Sequence, residues 1–279
     1  MGRAARGSGW DRRGILAVVA RDLRVVRGSK PVILPMLIVP VLLLVVLPVA
    51  VVISARLGAA AIDLGELEPM LELLPADITA QVVADPTAGI IEVTLVYLVS
   101  PLLLIVPLMT ASVIAADSIA GERERKTLEG LLLTPLTDRE LFVAKLLGAW
   151  LPAVAVGIGG GVLYAVVAEV AAIGAVDGLL FPNVLWLALI AWLGPALAAI
   201  SLGATVVVSA RVKTVQEAFQ IAGIVVLPVV VLIAGQAAGL LALSTGLVLA
   251  AGAVSWVIAL LVLRAGMSAV SRTRLGERL

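Results

Sequence analysis

The chain has 279 residues, 62% of them apolar, with a mean hydropathy of +1.17 and a net charge of +1. Soluble domains carry about 45–50% apolar residues, so this composition specifies a polytopic membrane protein and leaves no room for a soluble domain of useful size. Cysteine and histidine are both absent, which excludes a disulfide framework, thiol chemistry, imidazole metal sites, Ser-His-Asp triads and His-dependent membrane proteases.

Residues 1–31 read as a basic cytosolic tail carrying Arg3, Arg6, Arg12, Arg13, Arg21, Arg24, Arg27 and Lys30. Within it Ile15, Leu16, Val19, Leu23 and Val26 recur at helical spacing, with Arg12, Arg13, Arg24 and Arg27 at other positions. That pattern predicts an interfacial amphipathic helix on the anionic inner leaflet; a plain positive-inside anchor accounts for the same charges. The apolar run that follows, 22 residues after a charged region of 30, is too long for a secretory signal peptide.

Residues 32–279 are expected to form one transmembrane domain. A hydrocarbon core needs about 20 apolar residues per helix, and six such spans are legible, at about 32–53, 90–116, 141–168, 184–208, 221–238 and 244–263. The almost uncharged block 221–263 holds two spans with a turn near Gln236 to Ser244; one span plus a re-entrant half-helix fits it less well. The loop from Ser54 to Gly89 is acidic, with Asp63, Glu66, Glu68, Glu72, Asp77 and Asp85 against Arg56 alone. Leu64, Leu67, Leu71 and Leu74 predict a short surface helix there. Pro35, Pro40, Pro48, Pro101, Pro107, Pro152, Pro195 and Pro228 fall inside spans, where each removes a helix hydrogen bond and promotes a kink. Gly157 and Gly161 form a small-xxx-small pair suited to close helix packing.

Deep in the spans the sequence places no Asp, Glu, Lys or Arg. Ion-coupled carriers and proton relays ordinarily need such a group at depth, and there is no internal repeat of the kind common in secondary transporters. A passage would have to be lined by neutral groups. The candidates are Thr94, Tyr97, Ser100, Tyr164, Ser201, Thr205, Gln220 and Gln236, most of them expected to serve as helix–helix hydrogen bonders.

Gly121 to Glu140, GERERKTLEGLLLTPLTDRE, is densely charged yet joins two long apolar runs. Glu122, Arg125, Lys126 and Glu129 make opposite-charge pairs at helical spacing, and Leu128, Leu131 and Leu132 form an apolar stripe beside them. Thr134-Pro135 ends that helix, and Thr137 with Glu140 supplies a capping box for the next span. Thr214 and Glu217 repeat the T-x-x-E spacing before the fifth span. A solvated hairpin would look similar, except that its leucines would lack a surface to bury against. GERERKT ends like a phosphate-binding loop but has Arg125 where glycine is needed and two glutamates that repel phosphate, so the chain is expected to bind no nucleotide, no metal and no other cofactor. Of the 20 Lys and Arg, 19 fall on the tails, on the loop after the second span with the foot of the third, and on the loop after the fourth, and only Arg56 lies opposite. Both termini are therefore expected in the cytosol. The expected fold is all-α: six transmembrane helices, an amphipathic N-terminal helix and a charged cytosolic helix.

The run AADSIAGERERKTLEGLLLTPLTDRELFVAKLLGA, 115–149, resembles the signature of the ABC type-2 permeases, the membrane subunits of ABC exporters. The resemblance rests on Glu122, Glu124, Thr127, Leu128, Glu129, Leu131, Leu132 and Pro135, with Glu140 and Lys145 following, and extends more weakly to 20–40 and 209–220. It implies a permease of the cell membrane with no catalytic residue of its own, driven by a separate ABC ATPase subunit that carries ATP and Mg. It further implies that 121–134 is the coupling helix seated in the ATPase, with Arg125 on its charged face, and that the N-terminal amphipathic helix is the connecting helix. Two permeases, as a homodimer or a pair with a paralogue, would work with two ATPases in contact with membrane lipid; no nucleic acid is involved. The rival readings are an ion-coupled secondary carrier, a membrane enzyme, for which no polar constellation exists, and a membrane assembly protein that transports nothing. The uncharged interior leaves the substrate open among lipids, lipid-linked glycans and hydrophobic drugs, and the acidic outer loop does not decide whether ions are exported.

Overall fold

The computed structural model describes residues 11–20 (12 and 15 aside), 38–58, 76–118, 137–209, 217, 220, 223–237 and 244–269. Among them all regular structure is helical. A short N-terminal segment is helical within 13–20. It is followed by α1 (Ile38–Gly58), α2 (Ala76–Ala84), α3 (Pro86–Ala116), α4 (Asp138–Ala172), α5 (184–209), α6 (223–237) and α7 (Thr245–Ala269). Five of these, α1, α3, α4, α5 and α7, are long and apolar enough to cross a membrane. The fifth expected span corresponds to α6, a 3-10 turn Gly223–Val226 running into Leu227–Ala237. Its described length is below the roughly 20 residues a crossing needs, and the flanking residues 221–222 and 238 lie outside the described residues. The predicted helix at Leu64–Leu74 also lies outside them.

Two spans, α3 and α4, begin earlier than apolarity alone predicts, because polar caps set their starts. Helix α3 starts at Pro86 instead of 90, where Asp85 Oδ1 accepts from Ala88 N at 3.1 Å and proline occupies the first turn. Helix α4 covers 138–172 instead of 141–168.

The prolines act in a regular way. Three helices widen to π-turns, at Leu42–Val46, Val93–Val99 and Leu189–Leu193, and each π-turn ends two residues before a proline, Pro48, Pro101 and Pro195. A proline lacks its N–H and its ring clashes with the carbonyl four residues back. Ahead of each proline the turn widens: Leu47, Ser100 and Gly194 each donate to the carbonyl five residues earlier. In lipid such freed groups must be satisfied internally. Pro152, by contrast, sits within an unbroken α4.

Helices α3 and α5 form the centre of the bundle, with 61% and 67% of their apolar windows buried against 17% for α7. One core joins α1, α3, α4 and α5 around Leu95, Leu108, Tyr164 and Leu189. A second, rich in alanine (Ala111, Ala149, Ala153, Ala198), lets α3, α4 and α5 approach closely. The Gly157/Gly161 pair does not face one neighbour: a Cβ at Gly157 would lie 2.8 Å from Pro107 of α3, and one at Gly161 would lie 2.7 Å from Ile190 of α5. Trp150, Trp192 and Trp256 tie α4, α5 and α7 together by edge-on and tilted ring contacts at 6.4 and 6.3 Å, with Trp150 donating to the Pro195 carbonyl and Trp192 to the Leu249 carbonyl.

Candidate functional site

The segment 119–136 joins α3 to α4 in the sequence. Glu122, Glu124, Arg125, Thr127, Leu128, Glu129, Leu131, Leu132 and Pro135 all lie within it, outside the described residues. Its two attachment points are described, and both are held by the first turns of α4.

At the exit, Thr137 is the N-cap of α4 and the capping box is complete. Thr137 Oγ1 accepts from Glu140 N at 3.3 Å, and Glu140 Oε2 accepts from Thr137 N at 2.8 Å and from Thr137 Oγ1 at 2.7 Å. The box satisfies donors that a helix N-terminus leaves orphaned. Glu140 does more than cap its own helix. Its second oxygen, Oε1, accepts from Asp11 N at 2.8 Å, while Asp11 Oδ1 accepts from Gly14 N at 3.0 Å and so caps the N-terminal helical segment. Just beyond, Val18 and Val19 are buried against Ala144, with Leu147 beside them. The apolar side of that segment is therefore used in part on α4. Leu16, one of the predicted stripe, is 65% exposed, and Val18, outside the stripe, is buried.

At the entry, α3 runs into a π-turn at Asp117 and Ser118, the last described residues before 119. Lys145 Nζ donates to the Ser118 carbonyl at 2.7 Å, and Lys145 is 7% exposed. A buried ammonium needs an acceptor to offset its lost hydration, and the Ser118 carbonyl supplies one. Asp117 is likewise buried and engaged in an interaction. Glu140 and Lys145, little more than one turn apart on α4, thus grip the two ends of 119–136.

The remaining candidates separate into two groups. Ser100, Tyr164, Ser201 and Thr205 are buried between helices. Tyr164 donates to the Leu95 carbonyl at 2.7 Å and Ser100 to the same carbonyl at 2.9 Å. Ser201 donates to the Leu108 carbonyl at 3.1 Å and also contacts Ser112, and Thr205 donates to the Ser201 carbonyl at 2.8 Å. These hydroxyls serve carbonyls within the bundle. Thr94 and Tyr97 are half-buried in the π-turn of α3. Gln236 falls in α6, while Glu217 and Gln220 are helical and exposed; Thr214 lies outside the described residues. A cavity of about 10 Å³ between α3, α4 and α5, lined by residues including Leu104, Pro107, Gly157 and Ile190, has room for about one water and is no substrate chamber.

Asp11, Val18 and Ser118 were not singled out by the sequence. Asp11, a capping residue ahead of a periodic apolar run, carried a usable local signal. The Ser118 carbonyl carried none, since its role is made by backbone.

Comparison with curated proteins finds no match. The family model for the ABC-2 family transporter protein, however, matches residues 16–263, from the N-terminal helical segment to within α7. The chain is therefore a multi-pass membrane protein that belongs to the ABC-2 transporter family.

Proposed function

We propose that this chain is the permease subunit of an ABC exporter of the cell membrane, moving its substrate outward with energy from ATP hydrolysed on a separate ATPase chain. Family membership implies the ATPase partner. The observation that carries the mechanical part is the double grip of α4 on segment 119–136, through Glu140 at its exit and Lys145 at its entry. In this reading 121–134 is a cytosolic coupling helix that presents Leu128, Leu131 and Leu132 to the ATPase, flanked by Glu122, Glu124, Arg125 and Glu129. Closure of the ATPases displaces that helix, and α3 and α4 carry the displacement through the bundle. Coupling of this kind is a free energy shared between two sites, so it requires a firm mechanical connection between them. The N-terminal helical segment, docked on the foot of α4, is the connecting helix. Two copies, or one copy with a paralogue, enclose the pathway by two-fold symmetry.

Co-purification with an ABC ATPase subunit co-expressed from the same source tests this. The complex should hydrolyse ATP, and the chain alone should show no hydrolysis above a mock preparation. Robust hydrolysis by the isolated chain would overturn the assignment.

A further inference from the structure

We infer that the bundle bends at one level, a hinge joining a stiff half at the foot of α4 to a stiff half at the opposite end. The inference goes beyond the permease reading and does not depend on it. Irregular turns of three helices coincide at this level. The π-turns of α1 (Leu42–Val46) and α5 (Leu189–Leu193) both touch the 3-10 turn Ser100–Leu104, into which the π-turn of α3 continues. Turns of both kinds depart from the regular helical hydrogen-bond ladder, and 3-10 stretches inside helices often mark hinges. Pro48, Pro101 and Pro195, far apart in the sequence, lie in or just beyond these turns. Helix α4 crosses the same level with a run of glycines, three of which face different partners. A Cβ at Gly157 would lie 2.8 Å from Pro107 of α3, one at Gly160 would lie 3.0 Å from Leu44 of α1, and one at Gly161 would lie 2.7 Å from Ile190 of α5. With no side chain on α4 to interdigitate at these points, little resists a small change of crossing angle. The small cavity lined by Leu103, Leu104, Gly157 and Ile190 lies here too, so packing at this level is incomplete.

Polar ties between helices lie on both sides of this level. Toward the end opposite the foot, Arg56 of α1 donates to the Ala171 and Ile173 carbonyls at the end of α4, at 3.1 and 2.6 Å. Tyr164 of α4 donates to the Leu95 carbonyl of α3 at 2.7 Å, and Glu169 of α4 accepts from Phe181 N, ahead of α5, at 2.6 Å. Toward the foot, Trp150 of α4 donates to the Pro195 carbonyl of α5 at 3.0 Å, Ser201 of α5 to the Leu108 carbonyl of α3 at 3.1 Å, and Lys145 of α4 to the Ser118 carbonyl at 2.7 Å. Each set binds α3, α4 and α5 to one another. Between the two sets, the contacts around Leu44, Leu103, Leu104 and Ile190 are apolar. Bending at this level leaves both sets of ties intact, as closure between two packed bodies requires.

The chain has no cysteine, so pairs of spin labels report its shape without background. Distances are measured by pulsed EPR on the full chain in lipid nanodiscs, diluted with unlabelled chain so that only distances within one copy count. Leu57→Cys with Val184→Cys lies within the half opposite the foot, Arg139→Cys with Arg264→Cys lies within the foot half, and Val184→Cys with Arg264→Cys spans the hinge; all four positions are exposed. The pairs within a half should give narrow distributions, and the pair across the hinge a wider one than either. Pro195→Ala returns an N–H to α5 and lets its turn close as regular helix. It should narrow the cross-hinge distribution toward the width of the others and leave theirs unchanged. A cross-hinge distribution as narrow as those within each half overturns the inference, and so does a wide one that Pro195→Ala leaves unchanged. Neither result involves the ATPase, so the permease reading stands or falls separately.

Discussion

Gly161 and Gly159 lie two positions apart on α4 and should respond in opposite ways to the same added methyl group. A Cβ at Gly161 would sit 2.7 Å from Ile190 Cγ2, whereas one at Gly159 would meet nothing within 4 Å. Gly161→Ala should therefore force α4 from α5 and cost about 1–3 kcal/mol, as overpacking does. Gly159→Ala should be neutral or stabilising by up to about 1 kcal/mol from helix propensity. Thermal unfolding in detergent checks both, and equal midpoints would refute the packing. At this scale the sequence was most legible where chemistry is local. Thr137 and Glu140 were readable from T-x-x-E spacing because a capping box closes within one turn. The bond from Asp11 to the other oxygen of Glu140 spans 129 positions, and no spacing rule reports such a contact. The buried hydroxyls were identified as a set, but which carbonyl each serves depends on how the helices pack against one another.

Helices were legible where apolarity is sustained, and less so where caps or prolines decide. The π-turns ahead of Pro48, Pro101 and Pro195 turn an expected kink into a local widening, and whether a proline does this depends on its neighbours. The N-terminal segment was readable as amphipathic, but the choice between lipid and protein for its apolar side was not, since both are apolar surfaces. Val19 decides it. Buried against Ala144 at the foot of α4, it should tolerate no charge: Val19→Asp should release the segment and expose Arg12, Arg13 and Arg21 to trypsin, with the spans left intact. Cleavage unchanged from wild type would mean the segment is held by lipid and not by α4.

For the whole molecule, membrane class and family were legible from composition and from the 115–149 run, because both are properties of sequence rather than of long-range contact. Orientation rests on the distribution of basic residues. Single cysteines at Asp77 and Asp177 should label from outside intact cells, and those at Arg125, Lys213 and Arg274 should not. Outside labelling at Arg125 would invert the topology and remove segment 119–136 from any ATPase.

Leu128→Asp tests the coupling role of 119–136 most directly. On the proposed topology the substitution lies outside the bilayer, and it changes none of the residues that make the Glu140 and Lys145 contacts, so insertion and the foot of α4 should be preserved. A carboxylate buried without a partner in an ATPase groove costs several kcal/mol, more than coupling free energies of about 1–3 kcal/mol. At matched expression, Leu128→Asp should capture little ATPase and show no ATP-driven shift in the distance between spin labels at Asp177→Cys on the two permeases, while Glu68→Lys in the outer loop should behave as wild type. Wild-type capture together with a wild-type shift in Leu128→Asp would contradict the account and leave 119–136 a solvated hairpin.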